Sequence, residues 1–244
     1  GGPIDGDQGV EGFINAWPLD ESYIDYVIGN PNIGIINNPT DFPTIDKQVL
    51  MNANEKDGET NISTGYHAIE FLLWGENGDK TIEQFTTRQF EYLAACSGAL
   101  SIDLNKLYHL WNGDGGNYIK EVITAGNGSI IYKSQKSVIE ELSNAIAGIA
   151  DEVGNGKINE PLSKNDFTKE ESRFSGNSKI DFADNMRSIQ NIYLGNYLNN
   201  GNGDGLSKLI SKNNPELHQK ITQEIDNAIL KIENIPGTFT QALS

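Results

Sequence analysis

The sequence is poor in the groups on which several protein classes depend. It holds one cysteine, Cys96, so neither an intramolecular disulfide nor a cysteine-based zinc site can form. Lysine and arginine together number 18 against 34 aspartates and glutamates, for a net charge of −16. A chain this short of cations does not track a nucleic-acid backbone, and an anionic membrane surface repels it. No apolar run approaches the roughly 18 residues that a membrane-spanning helix needs. Strict apolar/polar alternation is scarce, which leaves little basis for strands. Also absent are a glycine-rich phosphate loop, a nucleophile elbow and a two-histidine His-Glu-x-x-His zinc motif.

What is present is helical spacing over a chain of 244 residues, enough for one large or two small domains. From Thr87 to Trp111, Phe90, Ser97, Leu104 and Trp111 recur every seven residues, with Leu93, Leu100 and Leu107 between them. That pattern predicts a long helix with an apolar seam, stopped by Gly113. A second long helix is predicted from Ser129 as N-cap to about Asp151, ended by Gly154 and Gly156. A third has Asn214 as cap and Pro215 at its first position, and stops before Pro236. Shorter helices are predicted at Asp20–Ile28, Asp46–Asn54, Ser63–Trp74, residues 116–125 and Ser178–Leu194. Loops rich in glycine, asparagine and proline fill 29–44, 154–166 and 199–205. The fold class expected is all-α, two helical bundles of the four-helix type, with residues 1–126 in the first and 127–244 in the second. The segments Leu72-Leu73-Trp74-Gly75 and Ile192-Tyr193-Leu194-Gly195 end two helices alike. A diverged repeat and two ordinary glycine C-caps both explain that likeness.

The sharpest chemical signal is Gly65-Tyr66-His67-Ala68-Ile69-Glu70. On a helix, His67 and Glu70 share a face. Ile69, Leu72 and Leu73 point to a core, and Phe71 and Trp74 flank the polar face. A buried glutamate needs a partner, a proton or a metal. Such a pair can give an imidazole and a carboxylate to one ion, or can simply hydrogen-bond to itself. Two ligands alone do not make a zinc or iron site.

The second signal is Glu170-Glu171-Ser172-Arg173-Phe174-Ser175, followed by Asp181, Asp184, Asn185 and Arg187. Two of the chain's three arginines fall here, and arginine offers fixed bidentate geometry. The plain alternative is an exposed loop and a capped helix with ordinary ion pairs. A third stretch, Trp17-Pro18-Leu19-Asp20-Glu21, crowds carboxylates at a helix start, where the helix dipole favours them. Residues 200–205 look like the start of a calcium loop, but the twelfth position is Ser211 where a bidentate glutamate is required. His109 reads as a C-terminal helix residue, His218 as solvated and Cys96 as a small core residue.

Taken together, these segments resemble the imelysin family, also described as insulin-cleaving membrane protease-like proteins. The resemblance rests on four stretches in order: Gly2-Pro3-Ile4-Asp5; Trp17 to Glu21 with Tyr23-Ile24-Asp25-Tyr26; Thr64 to Gly75, carrying a G-x-H-x-x-E signature; and Glu171 to Ser175 leading to Asn185–Gly195. It implies two four-helix bundles with the signature near their interface. It implies an exported bacterial protein, periplasmic or at the cell surface and often a lipoprotein, linked to iron uptake and its transport components. On this reading His67 and Glu70 hold iron or another divalent cation, and Asp20, Glu171, Ser172, Ser175, Asn185 and Arg187 line the ligand site. The family's other description implies a zinc metallopeptidase, with His67 and Glu70 as ligands and His109 or Glu171 as the third. The resemblance further implies helices before Gly2 and after Pro236. Without them, stripes such as Leu93/Leu100/Leu107 would need cover, from another chain if not from this one.

Overall fold

The computed structural model describes residues 2–6, 9–197 and 203–243. It is about 62% helical. Among the described residues there is no strand, only a single antiparallel bridge between Val27 and Asn30. The chain divides into two compact units, Gly1–Ile123 and Thr124–Ser244.

The first unit is built around one long helix. Its elements are α1 (Glu11–Ile14), α2 (Glu21–Ile24), α3 (Gly34–Asn37), α4 (Lys47–Ala53), α5 (Tyr66–Trp74), α6 (Thr87–Trp111) and α7 (Tyr118–Ile123). Helix α6 packs against α1, α3, α4, α5 and α7. Its start is fixed by a capping box: Thr86 Oγ1 accepts from Gln89 N, and Gln89 Oε1 accepts from Thr86 N. Arg88 donates to the carbonyls of Ile35, Ile36 and Phe42, which ties α3 and the loop after it to α6.

The face that α6 buries is not the seam of large apolar residues. Gln89, Tyr92, Cys96, Ala99 and Asp103 are buried, whereas Phe90, Leu104 and Trp111 are more than a third exposed. Ser97 is exposed, Leu93 and Leu107 half-buried, and only Leu100 of the seam is fully buried. Close approach explains the shift. Ala95, Cys96 and Ala99 are small, so α4 and α5 can come near the α6 backbone, where the bulkier stripe beside them would hold helices apart. Tyr92 fills the space at one end and donates to Ser63 O at 2.9 Å.

The shorter helices are trimmed by specific contacts. Asp20 N-caps α2, but the helix stops at Ile24 rather than Ile28. Asp25 there is extended and buried, and its carboxylate accepts from Tyr26 N, Asn37 Nδ2 and Gln89 Nε2. Helix α5 starts at Tyr66 and not at Ser63, because Ser63 and Thr64 are bonded elsewhere: both backbone amides donate to Asn54 Oδ1.

The second unit comprises α8 (Gln135–Asp151), a π-helical segment Glu152–Asn159, α9 (Glu160–Lys164), α10 (Ser178–Leu194), α11 (Leu206–Asn213), α12 (Pro215–Glu233) and α13 (Phe239–Leu243). Helix α10 is central and packs against α8, α11 and α12. Its inner face, Phe182, Ala183, Met186, Ile189 and Tyr193, meets Val153, Ile225, Ile232 and Phe239. The Phe182 and Phe239 rings meet edge to face at 5.3 Å.

Helix α8 begins after Ser134, which accepts from Ser137 N; Ser129 instead accepts from Tyr132 N in a turn before it. Nor do Gly154 and Gly156 end it. Helical structure continues through both as widened turns, because Val153 and Ile158 still pack on the core beneath. His218 is half-buried rather than solvated, with its Nδ1 3.0 Å from Tyr193 Oη. The calcium-loop reading rested in part on residues 200–202, which lie outside the described residues. Beyond them Asp204 pairs with Lys208.

Candidate functional site

The glycine of the signature has a structural duty. Gly65 sits at φ +91°, and a Cβ on it would fall 2.6 Å from the carbonyl oxygen of Ile14. Only glycine accepts both that dihedral and that approach. The close pass against the end of α1 lets α5 start where it does, and this start sets the direction of His67.

On α5, His67, Ala68, Glu70, Phe71 and Leu72 are buried, while Leu73 and Trp74 are more than a third exposed. Leu73 therefore does not belong to the core, contrary to the spacing argument; Phe71 does. His67 Nδ1 lies 3.1 Å from Glu70 Oε2, one helical turn apart, and their side chains are 4% and 11% exposed. A proton on Nδ1 donates to the carboxylate and leaves the ligand lone pair on Nε2, the arrangement by which carboxylates orient metal-binding imidazoles. The indole of Trp17 packs on the imidazole, ring centres 4.9 Å apart. Trp17 belongs to the second of the four stretches that carry the resemblance. Nothing in the spacing of residues 17 and 67 brings them together.

Asp20, three residues on, has a different task. Its carboxylate accepts from Ser22 N at 2.9 Å and Ser22 Oγ at 2.6 Å, capping α2. The helix-start reading of its charge accounts for what it touches.

In the second unit the Glu170–Ser175 stretch is a tight turn leading into α10. Ser172 adopts φ +58°, and its carbonyl accepts from Asn177 N at 3.1 Å. Glu170 is completely buried: Oε1 accepts from Ser178 Oγ at 2.7 Å, and Oε2 has no hydrogen-bond partner. Glu171 is buried and pairs with Lys157 Nζ at 2.6 Å. The Arg173 guanidinium lies over the Phe174 ring at 4.3 Å. Ser175 Oγ donates to Ser172 O at 3.4 Å. The turn thus gathers Glu170, Glu171, Ser172 and Ser175. Arg187 is committed elsewhere, to Asp184 at 2.6 Å and to Glu233 on α12. Asn185 stands half-buried on α10, its carbonyl accepting from Ser188 Oγ.

Among the described residues, no three His, Cys, Asp or Glu side chains converge to hold a metal ion. His109 is exposed near the end of α6. The His67/Glu70 pair fits a cation that takes one imidazole and one carboxylate oxygen and completes its shell with water or ligand oxygens. A hydrolytic zinc centre takes three protein ligands, one more than the pair supplies. Burial pushes the Cys96 thiol up to about 12, so it stays a protonated core residue and not a thiolate ligand.

A family model for imelysin (peptidase M75, Imelysin) matches residues 2–244. The chain belongs to the imelysin family. Among its relatives is iron-regulated protein A of Synechococcus elongatus, 21% identical over 237 residues. That match covers 96% of this chain and 58% of the relative, so the chain spans little more than half the relative's length. A crystal structure of an iron-regulated protein A precursor from Parabacteroides distasonis shares the fold, with a TM-score of 0.76 and 24% identity. It matches 99% of this chain and 70% of its own. In this imelysin chain, no described helix is long and apolar enough to cross a membrane.

Proposed function

We propose that this imelysin-family chain is a binding component of an exported, iron-linked system, and that it holds a metal ion or a small metal-bearing ligand. The observation that carries the reading is the buried His67–Glu70 pair, whose hydrogen bond orients the imidazole as a ligand. Relatives named iron-regulated, one of them a precursor, support the iron link and export. A mixed set of imidazole and oxygen suits iron and similar divalent ions. When bound, such an ion supplies positive charge for recognising an anionic ligand. The chain's own residues fix the imidazole and exclude water around it. The charge of −16 raises the local cation concentration.

The family's peptidase description supports a second reading, hydrolysis at zinc. One set of experiments separates the two. Protein stripped of metal is titrated with Mn²⁺ or, without oxygen, Fe²⁺, and also incubated with unstructured peptides. The expected result is cation binding that His67→Ala and Glu70→Gln each weaken at least tenfold, with no peptide turnover. Undiminished binding in both variants would sink the binding site. Zinc-restored, chelator-sensitive turnover that Glu70→Gln abolishes would replace it with the peptidase.

A further inference from the structure

We propose that the groove between α8, α10 and α11 binds a free fatty acid, with the alkyl chain on its apolar floor and the carboxylate at Lys212. Two glycines shape the groove. Gly195 caps α10 at φ +77°, and a Cβ on it would fall 2.5 Å from Gly205 N. A Cβ on Gly205 would fall 2.3 Å from Gly195 N. Glycine at both places lets the start of α11 lie against the end of α10. The space left between these two helices and α8 is about 470 Å³, within the range of small-molecule sites.

The floor is apolar surface that the core does not use. Among the described residues, Ile146, Ile149, Leu206 and Ile210 pack on the core of the unit. Ile139 and Leu142 of α8, Ile192 of α10 and Leu209 of α11 face the groove instead. Leu209 is 49% and Ile192 38% exposed, so this floor meets water. An alkyl chain laid on it removes that surface from water.

The rim is cationic. Residues 206–213 hold two lysines and no acid, on a chain of net charge −16. Lys208 and Lys212 stand one turn apart, and both line the groove. Lys208 is held by Asp204, whose two oxygens each lie 2.7 Å from its Nζ. Lys212 is exposed and has no ion pair among the described residues. An anionic head meets an unspent ammonium there, and a cationic head is repelled.

Size decides among apolar occupants. At about 30 Å³ per non-hydrogen atom, the share of a water molecule in the liquid, the groove holds roughly fifteen such atoms, close to the count of laurate. Helix α11 has eight residues and is about 12 Å long. That seat is short for a partner helix, which needs about 12–15 residues to hold its own form. An anionic membrane surface is opposed by the charge of the whole chain.

The test is equilibrium dialysis of the purified chain with radiolabelled laurate, below its micelle threshold and at fixed ionic strength. One laurate per chain is expected. Leu209→Asp puts a carboxylate on the floor and is expected to weaken binding at least tenfold. Lys212→Gln is expected to weaken it about two- to fivefold, the worth of an exposed ion pair. Decanoate is expected to bind at least fivefold more weakly, since each fully buried methylene is worth about fourfold. Dodecyltrimethylammonium, with the same chain and the opposite head, is expected to bind at least tenfold more weakly. Leu104→Asp, on the exposed seam of α6, is expected to bind as wild type. Equal affinity for the cationic amphiphile, or undiminished binding in Lys212→Gln, means adsorption to apolar surface alone and overturns the proposal. Binding that survives in Leu209→Asp or is lost in Leu104→Asp places laurate elsewhere and overturns it, as does absence of laurate binding. Sedimentation with phosphatidylglycerol vesicles that Leu209→Asp abolishes assigns the groove to a membrane and overturns it too. Should Leu209→Asp not fold, Ile192→Asp takes its place, and Lys212→Gln, a change at an exposed side chain, decides in either case.

Discussion

Asp103 is the least comfortable residue on α6, and its replacement tests the description of that helix. It is 3% exposed, and its Oδ2 has no hydrogen-bond partner. Burial holds its carboxyl above the ordinary value of 3.8, and Lys106 nearby offsets part of the rise. Asp103→Asn keeps the shape and removes the charge. A charged acceptor buried without a partner costs more than a neutral amide in the same place, and with Lys106 offsetting part of the difference, a gain of about 1 kcal/mol is expected at pH 7. For a chain of this size that amounts to a rise of roughly 2–4 °C in Tm. The sign with pH is fixed: a raised carboxyl favours the fold below its unfolded value and costs stability as pH rises through its folded value. The gain should therefore be full at pH 7 and absent below about pH 3.8. Urea unfolding of both proteins at pH 7 and pH 3.5, followed by circular dichroism, measures it. A variant less stable than wild type at pH 7, or equally stabilised at both pH values, refutes the account.

Two further predictions follow from the signature region. Gly65→Ala should destabilise the first unit by more than about 1 kcal/mol, because φ +91° and the 2.6 Å approach to Ile14 both oppose a Cβ; an unchanged melt would mean that the signature glycine serves only binding. Cys96 should resist thiol reagents at pH 8 until the protein unfolds. Its protonated form also favours the fold below the ordinary value of 9.0, so stability should fall between about pH 9 and pH 12, and Cys96→Ala should flatten that fall.

The helical class and the long helices were legible in the sequence because periodicity and caps act locally. Asn214 with Pro215 marks the start of α12, and Thr87–Trp111 is helical from end to end as read. Which face of α6 turns inward was not legible. Large residues announce a stripe, but small ones decide where a neighbouring helix can lie, and Ala95, Cys96 and Ala99 carry little signal alone. The pairing of His67 with Glu70 followed from their spacing. The contact of Trp17 with His67 and the pairing of Lys157 with Glu171 did not, since both join residues distant in sequence, and the second also depends on a widened helix that no local residue pattern announces. Arg187 drew attention through rarity, yet its partners Asp184 and Glu233 make it a surface clasp between α10 and α12.

The outward seam of α6 sets how the protein behaves as a colloid. Phe90, Leu104, Tyr108 and Trp111 meet water on a molecule carrying −16. In dilute buffer, mutual repulsion reaches about 10 Å at 0.1 M salt, far enough to keep two such seams apart. At 1 M salt the reach shrinks to about 3 Å, and the apolar stripe then governs encounters. Salt, usually added to keep a protein dispersed, works here in the opposite direction, and so does any buffer near the isoelectric point of about 4.5. Light scattering is therefore expected to show more self-association in concentrated brine than in dilute, mildly alkaline buffer.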